Sequence, residues 1–314
     1  MALWLVTGGC GFIGSHLVDS LLARGDSVRV LDDLSTGRRS NLPQGVELLV
    51  GDVADAAVVS RAMAGVDGCF HLAAVASVQR GNEDWLGTHR VNLTGTVAVL
   101  DAARTKGRNG AVPVVYASSA AVYGDNPEMP LPETAATAPL SAYGADKLGC
   151  ELHARVAWKV HGVPSTGFRF FNVYGPRQDP KSPYSGVIAI FADKVAERRG
   201  ITVNGDGGQT RDFVYVTDVV RHLVAAMDSG HQGSRVFNVC TGRPTTVLEL
   251  ARIISRLGGV EPRIEHGPAR AGDIRESLGD PRRAAEAFGF TAETPVTEGL
   301  RETLAAISGS LAAE

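Results

Sequence analysis

Tyr143 and Lys147 stand four residues apart in a stretch, 141–161, whose apolar residues Leu148, Leu152, Val156 and Val160 recur at helical spacing. On a helix the two side chains project from one face. A free phenol, with a pKa of about 10, is a poor base at neutral pH. An ammonium beside it stabilises the phenolate and makes it a usable one. Tyr-x-x-x-Lys also arises by chance on solvated helices, so the pair needs support from its surroundings. Ser118 and Ser119 supply it. They end an apolar run, 113–118, that reads as a strand, and ligands of doubly wound sheets bind at the carboxyl ends of strands. A hydroxyl there can bond a reacting oxygen and relay its proton to Tyr143.

A second constellation opens the chain. Gly8, Gly11 and Gly14 lie in TGGCGFIGS, directly after a first apolar run and at the start of a helical pattern. A side chain in such a turn would keep a pyrophosphate from the backbone, and the helix N-terminus offers unpaired N–H groups and partial positive charge. The second strand ends in Leu31-Asp32-Asp33, with Asp32 standing 18 residues past Gly14. An acid there accepts from a ribose 2′-hydroxyl and repels a 2′-phosphate, which favours NAD over NADP. Arg38 and Arg39 follow and soften that preference. Asp52, after the third strand, is placed to reach the adenine amino group, to cap the next helix, or to do both.

These segments, together with LDDLSTG, GDV, HLAA, SSAAVYG, YGADK and RFFNVYGPRQ, in this order and spacing, resemble the extended short-chain dehydrogenase/reductase family. Within it the chain is similar to the nucleotide-sugar 4-epimerases from end to end, including NGDGGQTRDFVYVTDV and RAGDIRESLGD. The resemblance implies that Tyr143 is the base, that Lys147 holds the nicotinamide ribose, and that Ser119 bonds the sugar hydroxyl, with Ser118 the second of the pair. It implies an NAD site made of Gly8, Gly11, Phe12, Ile13, Gly14, Asp32, Asp52, Val53, Leu72, Ala73, Ala74 and Asn92 with Tyr143 and Lys147. Asn172, Arg211, Arg270 and Asp273 match positions that hold the nucleoside diphosphate or its surroundings, and the rigid fork of arginine suits a diphosphate. Val187 and Asn204 match weaker uridine and sugar contacts. Family members commonly form homodimers through helices matching 84–106 and 141–161.

The reaction implied is inversion at sugar carbon 4. Tyr143 takes the O4 proton while the C4 hydride passes to NAD, the 4-keto sugar turns over, and hydride returns to its other face. The 4,6-dehydratases, which the chain also resembles, carry an Asp-Glu pair after the serine or threonine. Here those positions are Ala120 and Ala121, which move no proton. Nucleotide-sugar decarboxylases stay open, as does a non-catalytic NAD-sensing protein, although the retained Ser119, Tyr143 and Lys147 speak against the latter. Glucose-only epimerases tend to carry a tyrosine where this chain has Ser277, four residues after Asp273. A small side chain leaves room for a 2-N-acetyl group, so the expected substrates are UDP-GlcNAc and UDP-GalNAc, with UDP-Glc/UDP-Gal or both sugar types as the alternative.

These residues must be positioned by alternating strands and helices. Strands are expected over Ala2–Thr7, Ser27–Asp32, Val46–Gly51, Gly68–Ala73, Pro113–Ser118, Thr166–Asn172 and Arg235–Val239. Helices are expected after Gly11 and over 54–64, 84–106, Ser141–His161 and 217–228. Such alternation builds an α/β, Rossmann-type doubly wound parallel sheet with a smaller α/β substrate-binding domain. The expected NAD-binding domain is 1–172 with 211–240 returning to it, and 173–210 with 241–314 form the substrate-binding domain. A net charge of −3 over 314 residues gives no electrostatic case for nucleic acid or an acidic membrane. No apolar run approaches the ~20 residues of a spanning helix. Cys10, Cys69, Cys150 and Cys240 show no metal-ligand spacing and read as buried thiols. The first strand starts almost at Met1, which leaves no place for a signal peptide, so a soluble cytoplasmic protein is expected.

Overall fold

The computed structural model describes residues 1–105, 107, 110–179, 186–269 and 274–311. Its central sheet has seven strands: β1 (Leu3–Thr7), β2 (Ser27–Asp32), β3 (Glu47–Val50), β4 (Gly68–His71), β5 (Val114–Ser119), β6 (Ser165–Phe170) and β10 (Ser234–Val239). Their order is β10-β6-β5-β4-β1-β2-β3. The pairs from β3 through β6 run parallel, so the ends of β1, β4 and β5 that carry Gly8, Leu72 and Ser119 lie along one edge. The order reverses beside β1, where doubly wound sheets open a ligand crevice.

Helices α1 (Phe12–Ala23), α2 (Ala56–Met63), α3 (Val78–Glu83), α4 (Trp85–His89), α5 (Gly95–Ala103) and α6 (Ala142–His161) connect these strands. Leu5, Leu31, Val59, Met63, Cys69, Val99, Tyr116, Cys150 and Ala154 form one buried cluster, in which α2 and α5 also pack on each other. Local chemistry bounds the helices where the sequence places its signals. Asp55 caps α2 by accepting from Ala57 and Val58 N–H. Ser141 accepts from Gly144 N–H at the start of α6, and Gly162 ends it at φ 67°.

Two expectations are corrected. The helix expected over 84–106 begins at Trp85, ends at Ala103, and widens into one π turn at Arg90–Thr94. A further short helix, α3, precedes it. At the wide turn the carbonyl of Asn92 accepts from the hydroxyl of Thr96 at 2.6 Å and the thiol of Cys150 at 3.5 Å, side-chain bonds of a kind that perturb a helical ladder. The apolar repeat of α6 marks the helix but is not its core face. Leu152, Val156 and Val160 are 47, 51 and 67% exposed, and the helix buries Gly144, Lys147, Cys150, Glu151 and Ala154 instead.

Second, the domain limits differ from those expected. One compact unit comprises Met1–Asn126, Ala136–Phe170 and Val220–Phe237, and the other Pro127–Ala135, Phe171–Val219 and Asn238–Glu314. The returning segment is shorter than 211–240 because β9 (Thr210–Tyr215) pairs with β7 (Asn172–Tyr174), β11 (Pro244–Thr246) and β13 (Glu276–Ser277), not with the central sheet. The second unit also holds α7 (Val187–Ala196), the pair β8 (Ile201–Asn204) and β12 (Ile264–Gly267), α9 (Val247–Leu257), α10 (Arg282–Phe288) and α11 (Val296–Leu311). Within 173–179 and 186–210 the chain is thus more regular than its Pro, Gly and Asp content suggests. Helix α8 (Val216–Asp228) runs from the second unit's segment into the first's.

The turn after β5 depends on one glycine. Gly124 sits at φ 63°, ψ −145°, and a Cβ there would lie 2.0 Å from the carbonyl oxygen of Ala138. Backbone strain and collision act together. Gly124→Ala is expected to cost about 3 kcal/mol, read as a drop of roughly 5 °C or more in Tm by differential scanning fluorimetry.

Candidate active site

The glycine turn is packed by backbone. Gly8 has φ 70°, its N–H donates to Leu31 O at 2.8 Å, and a Cβ on it would meet Ala73 N at 2.7 Å. A Cβ on Gly14 would lie 2.1 Å from Gly8 O. Phe12, Ile13 and Gly14 form the first turn of α1, which has no side-chain cap and no acidic residue. A helix start left this way presents its N–H groups to an anion. Cys10, inside the turn, is inert: burial, then the Asp32 charge, pushes its thiol up to about 12.

Asp32 is buried and already employed. Its two oxygens accept from Cys10 N–H and Leu34 N–H, each at 2.9 Å, so it pins the glycine turn to the end of β2. Burial raises its pKa against the lowering effect of those donors. A carboxylate has about four lone-pair sites, which leaves capacity for a ribose hydroxyl. Asp52 accepts from Ala54 N–H at 2.8 Å and pairs with Arg90 at 2.7 Å, a partner that sequence reasoning missed. Val53 turns its side chain into the core, leaving only backbone to line a cofactor. Leu72, Ala73 and Ala74 follow β4 against the glycine turn. Asn92 is buried, accepts from Val75 N–H at 2.8 Å and donates to Val75 O at 3.1 Å. It braces the segment after β4 with both ends of its amide.

At the end of β5, Lys147 is buried and donates from Nζ to Ala117 O at 2.8 Å, with the ammonium 5.9 Å from the centre of the Tyr143 ring. Ser119 is part-exposed and its hydroxyl accepts from Ala121 N–H at 3.2 Å. Ser118 corrects the expectation of a substrate contact: it is 2% exposed and its hydroxyl donates to Glu151 at 2.6 Å. Adjacent strand residues point to opposite faces, and Ser118 has the inner one. Glu151, with Arg169 bonded to it at 2.7 and 2.9 Å, was also missed. Its signal was present, since Tyr143, Lys147 and Glu151 are spaced i, i+4, i+8 on one stripe.

In the second unit, strand register gathers three of the expected substrate residues. Arg211 of β9 lies opposite Ser277 of β13, and Phe213, two residues along, lies opposite Asn172 of β7. Registered neighbours and i, i+2 residues share a face. Arg211 also donates to Thr210 O at 2.8 Å. Asn204 ends β8 and Val187 begins α7. Arg270 and Asp273 lie outside the described residues.

The uncapped helix start, glycines without room for a side chain, and an acid at the end of β2 suit a dinucleotide, and the Ser-Tyr-Lys set suits proton transfer beside it. Residues 4–240 match the NAD dependent epimerase/dehydratase family. The chain belongs to that family. NAD is its cofactor. It is 39% identical to a UDP-glucose 4-epimerase of Mycolicibacterium smegmatis, over 96% of each chain. It superposes on a UDP-N-acetylglucosamine 4-epimerase from Methanobrevibacter ruminantium, solved with UDP-N-acetylmuramic acid, with a TM-score of 0.93 at 33% identity, covering 98% of this chain and 99% of the other. The Thermus thermophilus UDP-glucose 4-epimerase, solved with NAD, gives a TM-score of 0.89 at 37% identity over 98% and 99% of the two chains.

Behind the cofactor walls of this epimerase/dehydratase member lies a neutral histidine. His71 Nδ1 bonds the Thr7 hydroxyl at 2.8 Å and Nε2 the Thr96 hydroxyl at 3.0 Å, tying β1 to β4 and α5. Burial, then the nearby Lys147 charge, lowers its pKa from 6.5 to about 3. The unfolded chain therefore binds a proton between these values that the folded chain refuses, so stability falls as pH drops through that window and is unaffected above it. Asp32, raised, acts in the opposite direction. Between pH 7 and 5 the His71 contribution is about 2 kcal/mol. Urea titrations at both pH values should show His71→Gln losing less stability on acidification than the parent, by about that amount.

Proposed function

We propose that the chain is a UDP-N-acetylhexosamine 4-epimerase, interconverting UDP-GlcNAc and UDP-GalNAc. Ser277 carries the choice of sugar. It is a small residue registered beside Arg211, so a diphosphate held by Arg211 would leave its hexose near a position with room for an N-acetyl group. Discrimination by pocket volume alone is modest, and the Mycolicibacterium relative is named a UDP-glucose 4-epimerase. Activity on both sugar types is therefore the second reading.

Bound NAD would accept the C4 hydride and return it. The protein's own part is proton handling and grip. Lys147, buried and anchored on Ala117 O, sets its ammonium beside the Tyr143 ring and would hold the nicotinamide ribose. Tyr143 takes the O4 proton and gives it back, with the Ser119 hydroxyl bonded to the same oxygen. Gly8, Gly11 and the first turn of α1 would hold the pyrophosphate, Asp32 the adenosine ribose and Asp52 the adenine. Arg211, Asn172, Asn204 and Val187, with Arg270 and Asp273, would hold the nucleoside diphosphate while the hexose turns. Ala120 and Ala121 supply no acid for elimination, which favours epimerisation over dehydration.

We further propose a homodimer. The exposed row Leu152, Val156 and Val160 on α6, with Val97 on α5, is an apolar face at four-residue spacing that a second copy would cover. A cytoplasmic setting suits the four cysteines, all buried and free. Among the described residues no helix is long and apolar enough to cross a membrane.

Incubation with UDP-GlcNAc, without added reductant, is expected to yield UDP-GalNAc, followed by chromatography of the nucleotide sugars. An unchanged UDP-GlcNAc pool beside converted UDP-glucose would assign the plain hexoses instead. Tyr143→Phe is expected to lose at least about 10³-fold in kcat while calorimetry still records UDP-sugar binding. Sedimentation should give a dimer for the parent and a monomer for Val156→Glu; a monomeric parent refutes the pairing.

A further inference from the structure

Three charged contacts fasten α6 to the sheet beneath the candidate site. Lys147 reaches Ala117 O. One turn on, Glu151 accepts from the Ser118 hydroxyl at 2.6 Å and from Arg169 at 2.9 and 2.7 Å. Ser118 and Arg169 are register partners on β5 and β6, so one carboxylate spans both strands at the residue before Ser119. Arg169 also lies over the Tyr123 ring, 4.7 Å from its centre. Ser118, Glu151 and Arg169 are 2, 8 and 6% exposed.

A buried ion pair contributes little net stability, because desolvation offsets its attraction, and apolar residues of similar volume often serve as well. What such residues cannot supply is a directional lock. The reaction needs one. If the hexose turns over between the two halves of the reaction, it cannot hold the phenol and the serine hydroxyl in register; the protein must.

We propose that Glu151 is a positioning residue for proton transfer: by gripping Ser118 and Arg169 it fixes α6 along β5, so that the Tyr143 phenol and the Ser119 hydroxyl converge on one oxygen. This rests on the roles given above to Tyr143 and Ser119. Misplacement by about 1 Å is enough to slow a reaction by roughly a hundredfold without weakening ligand binding.

The test pairs two variants with the parent enzyme. Glu151→Leu/Arg169→Met removes the lock but leaves no buried charge unpaired. It strands the Ser118 hydroxyl, so its Tm should fall by a few degrees, while its UDP-sugar Kd by calorimetry should match the parent within about twofold and kcat at a temperature well below Tm should fall about tenfold or more. Ser118→Ala should lower kcat several-fold at unchanged KM, and it decides the matter alone if the double variant does not fold. Parental kcat in a folded double variant or in Ser118→Ala overturns the proposal. So does a kcat that falls only in step with Tm, or a KM that rises with Ser118→Ala. Tyr143→Phe with parental kcat would instead overturn the catalytic assignment, and the two failures are thereby distinct.

Discussion

A parallel sheet delivers its strand ends to one edge, and that edge must carry polar groups that cannot all face water. Behind the glycine turn and Ser119, this protein buries Thr7, His71, Asn92, Thr96, Ser118, Lys147, Glu151 and Arg169. An unpaired polar group in such a place costs about 1–3 kcal/mol, so each must find a partner. They do so by bonding across elements: β1 to β4 and α5 through His71, the segment after β4 to the π turn through Asn92, and α6 to β5 and β6 through Lys147 and Glu151. Satisfying these groups is the same act as fixing the walls of the cofactor site. The buried network and the candidate site are two sides of one layer.

Helix α6 shows how this constraint divides a sequence. Its core side carries Lys147, Glu151 and the small residues Gly144, Cys150 and Ala154, which allow close approach to the sheet. Its largest apolar residues lie on the far side. A reader of hydrophobic periodicity finds the helix and its limits, because spacing is independent of direction. Spacing does not say which face is buried, and here the stripe that carries Lys147 and Glu151 takes the place of the usual apolar one.

Legibility elsewhere followed the same physics. The glycine turn, the strands of the central sheet and the helix expected over Ser141–His161 rest on local chemistry, and the structure has them within a residue or two of where the sequence indicates. Ser118 was misread because two hydroxyls at a strand end look alike until alternation gives one an inner partner. The π turn at Arg90–Thr94 has no signal in the apolar spacing; the Asn92 carbonyl there accepts from Thr96 in the same stretch and from Cys150 of α6. The transfer of 211–219 and 127–135 to the second unit follows from strand pairing far along the chain, as between Leu131 and Gly279, which no local pattern encodes. Arg90 and Glu151, the missed partners of Asp52 and Ser118, are charged residues whose roles depend on a facing group.

The chemistry around Ser119 also limits what this edge can do. An epimerase needs one proton to leave an oxygen and return to it, which a single phenol can manage in both directions. Elimination needs a proton removed from carbon and another given to a leaving hydroxide, hence two further groups of different acidity. After Ser119 the chain offers Ala120 and Ala121, whose role is to close a tight turn capped by the Ser119 oxygen. Residues 120 and 121, which carry no titratable group, fit proton transfer at a single oxygen better than elimination, and on the proposed reaction the anchoring of α6 is the complement: one acid–base group would have to serve both faces of the sugar.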